Sequence, residues 1–323
     1  MNAAMYLRYG PPEVLAMAEV ARPEPRDDEV RIAIRATTAT AACGLMRRGD
    51  TALARIVLGP LRPRRRFRIL GTEFAGVIDA VGSKVTRFRP GDRVYGFTGM
   101  KAGAYAEYVC LSETASIAPA PAGVSDLEAA TLVDGPTTAL YFLRDRAHLR
   151  PGARLAIVGA SGSIGTAAVQ IARYLGAHVT AVCSGKNAEL VRSLGAHEVI
   201  DYTLRDYTAQ GHRYDVVFDT VGKSAFRQAS RCLVDGGTYL VTVGGLSVLV
   251  LDLLTRGFSR TRLSFGFSVE KREALREVAM LTEAGVLRPV IDRQYPLAQI
   301  AEAHRYVETG RKRGNVVIAV AER

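Results

Sequence analysis

Three glycines spaced by two residues, Gly159, Gly162 and Gly165, lie in the stretch "IVGASGSIGT" (157–166), directly behind an apolar run. Ala168, Ile171, Ala172 and Leu175 follow at helical spacing, and Gly176 stands where such a helix would stop. A strand, a glycine turn and a helix in this order constrain the chain strongly. The glycines permit a tight turn and bring backbone N–H groups close to a pyrophosphate, and the positive end of the helix then faces that anion. Glycines at this spacing also mark ordinary turns. The flanking strand and helix favour the nucleotide reading, with Gly159, Ala160, Ser161, Gly162, Ser163, Ile164 and Gly165 as the cradle.

The rhythm on either side of the glycines differs. From residue 150 onward, "ARLAIVG", "HVTAVC", "EVID", "YDVVFDTV" and "TYLVTVGG" read as short apolar strands separated by helical stretches, the alternation of a parallel α/β sheet. The first ~120 residues carry short alternating runs cut by Gly and Pro, such as "DEVRIAIRA" and "GDRVYGF", which predict an antiparallel, barrel-like β domain. The segment from "REALREV" to "NVVIAV" predicts two helices, a proline-marked connection and a final strand returning to the first domain. A length of 323 residues agrees with two domains. Neither an internal repeat nor a low-complexity linker is present.

The end of the second strand of the parallel sheet selects the nucleotide. An NAD site carries an acid there for the ribose hydroxyls. Here "VCSGKN" offers Ser184, Lys186 and Asn187, and the next carboxylate, Glu189, falls inside the following helix. Two hydrogen-bonding side chains and a cation suit a 2′-phosphate, so NADPH (NADP) is the expected cofactor. Ser184 as a simple helix cap is compatible with either nucleotide.

Composition narrows the partners. Hydrophobic residues make up 48% and charged residues 23%, ordinary for a globular chain with a large core. The opening residues lack the apolar run of a signal peptide, and "LSVLVLDLL" (246–254) is short and interrupted by Asp252, so a cytoplasmic protein without membrane insertion is expected. Cys43, Cys110, Cys183 and Cys232 match no redox or zinc-finger spacing. The net charge is +11, carried by 37 Arg and 6 Lys, with one dense cluster, "RPRRRFR" (62–68). No helix-turn-helix or aromatic RNA motif accompanies that cluster, so a solvated loop is favoured over a nucleic-acid site.

The stretches "YGPPEVL", "ILGTEFAGVIDAVGSKVTRFRPGDRVYGF", "GASGSIGTAAVQIARYLGAHVTAVCSGKNAELVRSLGAHEVIDY" and "YDVVFDTVG" resemble the medium-chain dehydrogenase/reductase superfamily. Within it they are similar to the zinc-independent quinone oxidoreductase branch, which includes enone and alkenal reductases. The resemblance implies an α/β protein with a GroES-like β-barrel substrate domain (1–123 with 268–323). A Rossmann doubly wound domain (124–267) is inserted into it. It also implies a homodimer and an active site in the interdomain cleft. It places Thr138 and the Val243–Gly244 turn beside the nicotinamide, Tyr202 near the adenosine half and Asn315 at the closing cleft. Tyr202 as strand-edge packing and Asn315 as a turn residue are the plain alternatives.

Zinc-containing relatives supply ligands at positions matching Thr40, Thr72 and Asp134 here, and two of these three are poor ligands. The expectation is therefore no metal, with hydride transfer to a quinone or an α,β-unsaturated carbonyl. Thr40 is the candidate hydroxyl for the acceptor oxygen. Cys43 and Asp134 are departures from the branch's pattern near the pocket, and Asp134 is the candidate proton donor if burial raises its pKa. Glu73 is expected to be structural and paired with an Arg, and Tyr95 and Phe97 to line the cleft. The apolar segment 244–267 is left open as pocket wall, dimer surface or lid. The competing functions are a nonenzymatic nucleic-acid-binding or structural protein, and a natural-product pathway reductase with a specialised acceptor.

Overall fold

The computed structural model describes residues 1–50, 52–258 and 260–320. They group into two compact units: residues 1–134, 269–283 and 289 onward form the first, and 135–268 with 284–288 the second. The division thus falls at 134/135 and 268/269, against the 123/124 and 267/268 expected. The short capped helix Asp126–Thr131 explains the first difference. It packs on strands of the first unit, although it precedes the parallel sheet in sequence.

Seven strands come first: β1 (Asn2–Met5), β2 (Ala16–Glu19), β3 (Glu29–Ala39), β4 (Glu73–Val81), β5 (Arg93–Phe97), β6 (Tyr108–Ser112) and β7 (Ser116–Pro119). The second unit contributes β8 (Arg154–Val158), β9 (His178–Cys183), β10 (Glu198–Asp201), β11 (Tyr214–Asp219), β12 (Leu233–Val241) and β13 (Arg262–Phe265). The chain then returns to the first unit as β14 (Ile291–Pro296) and β15 (Asn315–Ala319).

In the first unit a sheet runs β14-β15-β3-β4-β5-β7, with β6 also paired to β3. Apart from the parallel β14–β15 pair, its ladders are antiparallel. The alternation in "DEVRIAIRA" has a direct cause. Val30, Ile32 and Ile34 are buried with Phe74, Ile78, Val94 and Ile117, whereas Arg31 and Arg35 on the opposite face are not. This is the GroES-like β domain.

The second unit is one parallel sheet in the order β10-β9-β8-β11-β12-β13, the Rossmann order. Five of its strands were legible as apolar runs. The sixth, β13, gives no such signal, because "RLSF" is short and polar at its start. The strand order reverses direction between β8 and β11. Loops leaving the carboxyl ends of those two strands therefore diverge and open a crevice.

Candidate functional site

The glycine turn joins β8 to the helix Ser163–Tyr174 at that crevice. Gly159 has φ +78°, and a Cβ there would lie 2.7–2.8 Å from Val221 and Thr220. Gly165 has ordinary φ but no room: its Cβ would sit 2.2 Å from the Gly159 carbonyl oxygen. Gly162 is the N-cap, and no side chain caps the helix. An uncapped helix start above a turn with space only for hydrogen is what a dinucleotide pyrophosphate requires, so the residues fit such a group. Ser163 and Ile164 form the first turn of the helix, and Ala160 is buried beneath it.

A second loop walls the turn. Asp219, at the end of β11, is fully buried and accepts hydrogen bonds from the amides of Val221 (3.0 Å), Gly222 (2.8 Å) and Ser224 (2.7 Å) and from the Tyr239 hydroxyl (2.9 Å). It thereby fixes Thr220 and Val221 over Gly159. Sequence reasoning missed this role, although the carboxylate closing "YDVVFD" before a Gly was its visible trace. Half-exposed Val243 packs close to Gly222, and Gly244 packs on Val248, so this turn joins the same edge. Thr138 is buried on the helix Asp134–Leu140. In that helix Gly135 approaches Ser163 so closely that a Cβ would touch it at 2.9 Å.

At the end of β9 the three candidates separate. Asn187 is buried, and its Nδ2 donates to Ser161 Oγ (2.9 Å) and Ser184 Oγ (3.2 Å), tying the glycine turn to this loop. Through Nδ2 it positions Ser184 and Ser161, while its buried Oδ1 makes no hydrogen bond. Lys186 is exposed and Ser184 half-buried. Tyr202 is exposed at the end of β10, its amide bonded to the Cys183 carbonyl (3.2 Å).

An acid does stand nearby. Asp201 ends β10, paired in register with Cys183. Hydrogen bonds from the Thr203 amide (2.9 Å) and hydroxyl (2.7 Å), and one from Gly185, hold its carboxyl below the usual range. It arrives from the third strand of the sheet, not from the second, where a ribose-binding acid is expected.

In the first unit, Thr40 caps the helix Ala41–Arg48: its Oγ accepts from the Cys43 amide (3.2 Å), which leaves the hydroxyl proton to donate elsewhere. Cys43 is completely buried with Tyr6, Leu70 and Tyr105 in an apolar cluster. Its thiol is a core group, and this corrects its candidacy for catalysis. Asp134 is a half-exposed carboxylate 2.8 Å from the ammonium of Lys271, which is itself 1% exposed. This ion pair differs from the isolated, desolvated carboxyl expected of a proton donor. Lys271 Nζ lies 5.0 Å from the centre of the Phe97 ring.

Glu73 has no arginine partner. It is buried beside Asp134, Lys271 and Lys312, and its Oε2 makes no hydrogen bond. Burial first, and then the Asp134 charge, push its pKa up to about 8. Burial also lowers Lys312 to about 8. Tyr95 is fully buried and bonds the Leu275 carbonyl, so it holds the helix Arg272–Glu283. Asn315, at the start of β15, bonds the Val290 carbonyl through its amide nitrogen (2.9 Å) and Nδ2 (3.2 Å), the turn role.

The helix Leu246–Phe258 of the second unit turns Asp252 and Thr255 inward, where they accept from the Phe265 amide (3.3 Å) and the Leu263 amide (3.0 Å). Leu249, Val250, Leu253 and Leu254 face outward. Ser259, and the side chains of Leu246 and of residues 256–258, lie outside the described residues. Among the described residues no helix is long and apolar enough to cross a membrane, and no group of His, Cys, Asp and Glu is placed to hold a metal.

Comparison with known proteins agrees with this architecture. Residues 26–122 match the alcohol dehydrogenase GroES-like domain family, and residues 194–318 the family described as zinc-binding dehydrogenase. A 2-methylene-furan-3-one reductase of Solanum lycopersicum is 32% identical, over 98% of this chain and 79% of that protein. A mitochondrial NAD(P)H oxidoreductase of Mus musculus is 35% identical, over 78% of this chain and 70% of its own length. The solved quinone oxidoreductase of Coxiella burnetii superposes with a TM-score of 0.90 at 29% identity, covering 99% of both chains. The chain belongs to the medium-chain dehydrogenase/reductase superfamily. Within it the chain falls in the quinone oxidoreductase-like branch, as an oxidoreductase that uses a nicotinamide cofactor.

Proposed function

We propose that this protein is an NADPH-dependent, zinc-independent reductase of quinones or α,β-unsaturated carbonyl compounds. The observation that carries the reading is the glycine turn flanked by Ser184 and Lys186, with the nearby Asp201 oxygens already engaged by Gly185 and Thr203. Ser184 and Lys186 bind the 2′-phosphate, and Tyr202 flanks the adenosine. The helix start at Ser163 takes the pyrophosphate, and Thr138 with Val243–Gly244 flanks the nicotinamide. The cofactor, when bound, supplies a hydride.

The chain's own residues orient the acceptor and meet its charge. For an enone, the hydride adds to the β-carbon, the electron pair moves to the oxygen, and a proton from water completes the reduction. Thr40 donates its hydroxyl hydrogen to that oxygen. Asp134 keeps Lys271 in place and takes no proton role.

No metal takes part in this scheme. A catalytic zinc needs three ligands drawn from Cys, His and carboxylate. Of the three matching positions, Thr40 is a helix cap, Thr72 is another hydroxyl and Asp134 is held by an ammonium, so the donor set does not fit. The four cysteines are free thiols, which supports a reducing, cytoplasmic setting. Leu249, Val250, Leu253 and Leu254 form an exposed apolar stretch of this helix, which supports a homodimer and favours the dimer-surface reading of this segment.

The test is the initial rate of NADPH oxidation, with NADH as control, against enones, enals and quinones in the presence of a chelator. Turnover with NADPH that the chelator leaves unchanged is expected. Tight NADPH binding without turnover on any acceptor, or loss of turnover with the chelator, would overturn the reading.

A further inference from the structure

The cluster "RPRRRFR" (62–68) is left unused by the reductase reading, and its surroundings in the first unit are unusual. Arg62, Arg64, Arg65 and Arg66 are all exposed, and among the described residues no carboxylate pairs with any of them. Large apolar side chains stand between and beside them: Leu61 is 89% exposed, Ile56 66% and Leu7 60%.

Hydrogen bonds join these residues into one surface. Arg64 Nη2 donates to the Ile56 carbonyl (3.2 Å), and the Arg64 amide donates to the Leu58 carbonyl (2.7 Å). The Tyr9 hydroxyl donates to the Gly59 carbonyl (2.6 Å), and the Tyr6 amide to the Arg68 carbonyl (2.9 Å), which sets Leu7 alongside. Next to the cluster a groove of about 520 Å³ is lined by Met1, Met5, Val20 and Ile69, with Arg65 and Arg68 also on its wall. The buried Arg68 Nε has no partner.

We propose that this face docks the protein peripherally on an anionic lipid bilayer. A bilayer offers both things the surface lacks: phosphate charge for unpaired guanidiniums, and an apolar boundary for Leu7, Ile56 and Leu61. A nucleic acid satisfies the arginines but leaves those three side chains in water, and no exposed aromatic ring accompanies them for base stacking. The groove has room for part of an acyl chain beneath its two arginines. No helix inserts, so attachment is reversible and salt-sensitive.

The experiment is sedimentation of the intact protein with vesicles of pure phosphatidylcholine and with vesicles containing about 30 mol % phosphatidylglycerol. Binding is expected only to the anionic vesicles. Each arginine near such a surface contributes about fivefold in partition, so R64Q/R65Q/R66Q should bind about 100-fold more weakly. Leu61→Ser should weaken binding several-fold, including the part that survives about 0.5 M salt. Unchanged thermal midpoints in both variants show that the fold is intact. Equal binding to neutral vesicles, or no response to the arginine changes, would overturn the proposal. So would tight binding of a short nucleic-acid duplex that depends on the arginines but not on Leu61. None of these readouts involves the acceptor, so the reductase reading stands or falls separately.

Discussion

Glu73 offers a quantitative test of the electrostatics in the first unit. Its folded-state pKa is raised from an ordinary value of 4.5 to about 8, by burial and then by Asp134. Between those values the folded chain keeps a proton that the unfolded chain releases, so this group's contribution to stability falls as pH rises. Each pH decade in the window is worth about 1.4 kcal/mol, slightly less near pH 5 where the unfolded Glu73 is incompletely ionised. The loss between pH 5 and pH 7 is therefore about 2–3 kcal/mol. Burial lowers the Lys312 pKa from 10.5 to about 8, so its own window in the wild type lies above pH 7. Other groups contribute to the absolute pH dependence, and the Glu73→Gln variant removes them by difference. Urea unfolding of wild type and variant at pH 5, 6 and 7 should show the variant gaining on wild type by about 2–3 kcal/mol across the series, whatever its offset at pH 5. A pH-independent offset would refute the reasoning and make Glu73 an ionised partner of Lys271 or Lys312.

Other perturbations reach the rest of the site. Ser184→Asp with Lys186→Ala should reverse the NADPH-over-NADH preference in KM, and an unchanged ratio would remove the 2′-phosphate assignment. Gly165→Ala places a Cβ 2.2 Å from the Gly159 oxygen, so NADPH binding measured by nicotinamide fluorescence should be lost, with a stability cost of about 1–3 kcal/mol in the same chain. Asp219→Ala strands three amides and removes one of the two acceptors beside the Tyr239 hydroxyl, and should cost about 2–4 kcal/mol in urea unfolding. Asp134→Asn takes away the carboxylate 2.8 Å from the buried Lys271 ammonium, whereas Lys271→Met leaves the half-exposed Asp134 to water, so Asp134→Asn should destabilise more in the same assay while keeping the turnover of the folded fraction.

The second unit was legible because its signals are local. A strand, a glycine turn and an amphipathic helix are read within twenty residues, and five strands announce themselves as apolar runs. What escaped depends on contacts between segments far apart in sequence. Asp201 reaches Gly185 from the neighbouring strand, and Asn187 faces back toward Ser161, where spacing alone showed only a polar loop residue. Cys43 looked like a departure at the chemistry, yet its position two residues into a capped helix turns it into the core among Tyr6, Leu70 and Tyr105. Tyr95 likewise alternates inward on β5, to a helix that begins 177 residues later in the chain.

The charged cluster of the first unit shows most clearly why residue type at a matched position did not settle role. Asp134 sits where zinc-containing relatives place a ligand, and an isolated carboxyl in a desolvated site would be a reasonable acid. Lys271, far along the chain, removes that option by supplying an ammonium at 2.8 Å. The Lys271 ammonium then faces two carboxyl groups, with Lys312 also beside Glu73. Asp134, half in water, takes the cation directly, while Glu73, without water, is left to keep its proton near neutral pH. A metal dication added there would meet the carboxylate already engaged by the Lys271 ammonium, and that ammonium and Lys312 would repel it. The same argument couples the two sites: removing Asp134 should draw Glu73 into ionised pairing with Lys271, and the falling stability between pH 5 and pH 7 should flatten in Asp134→Asn.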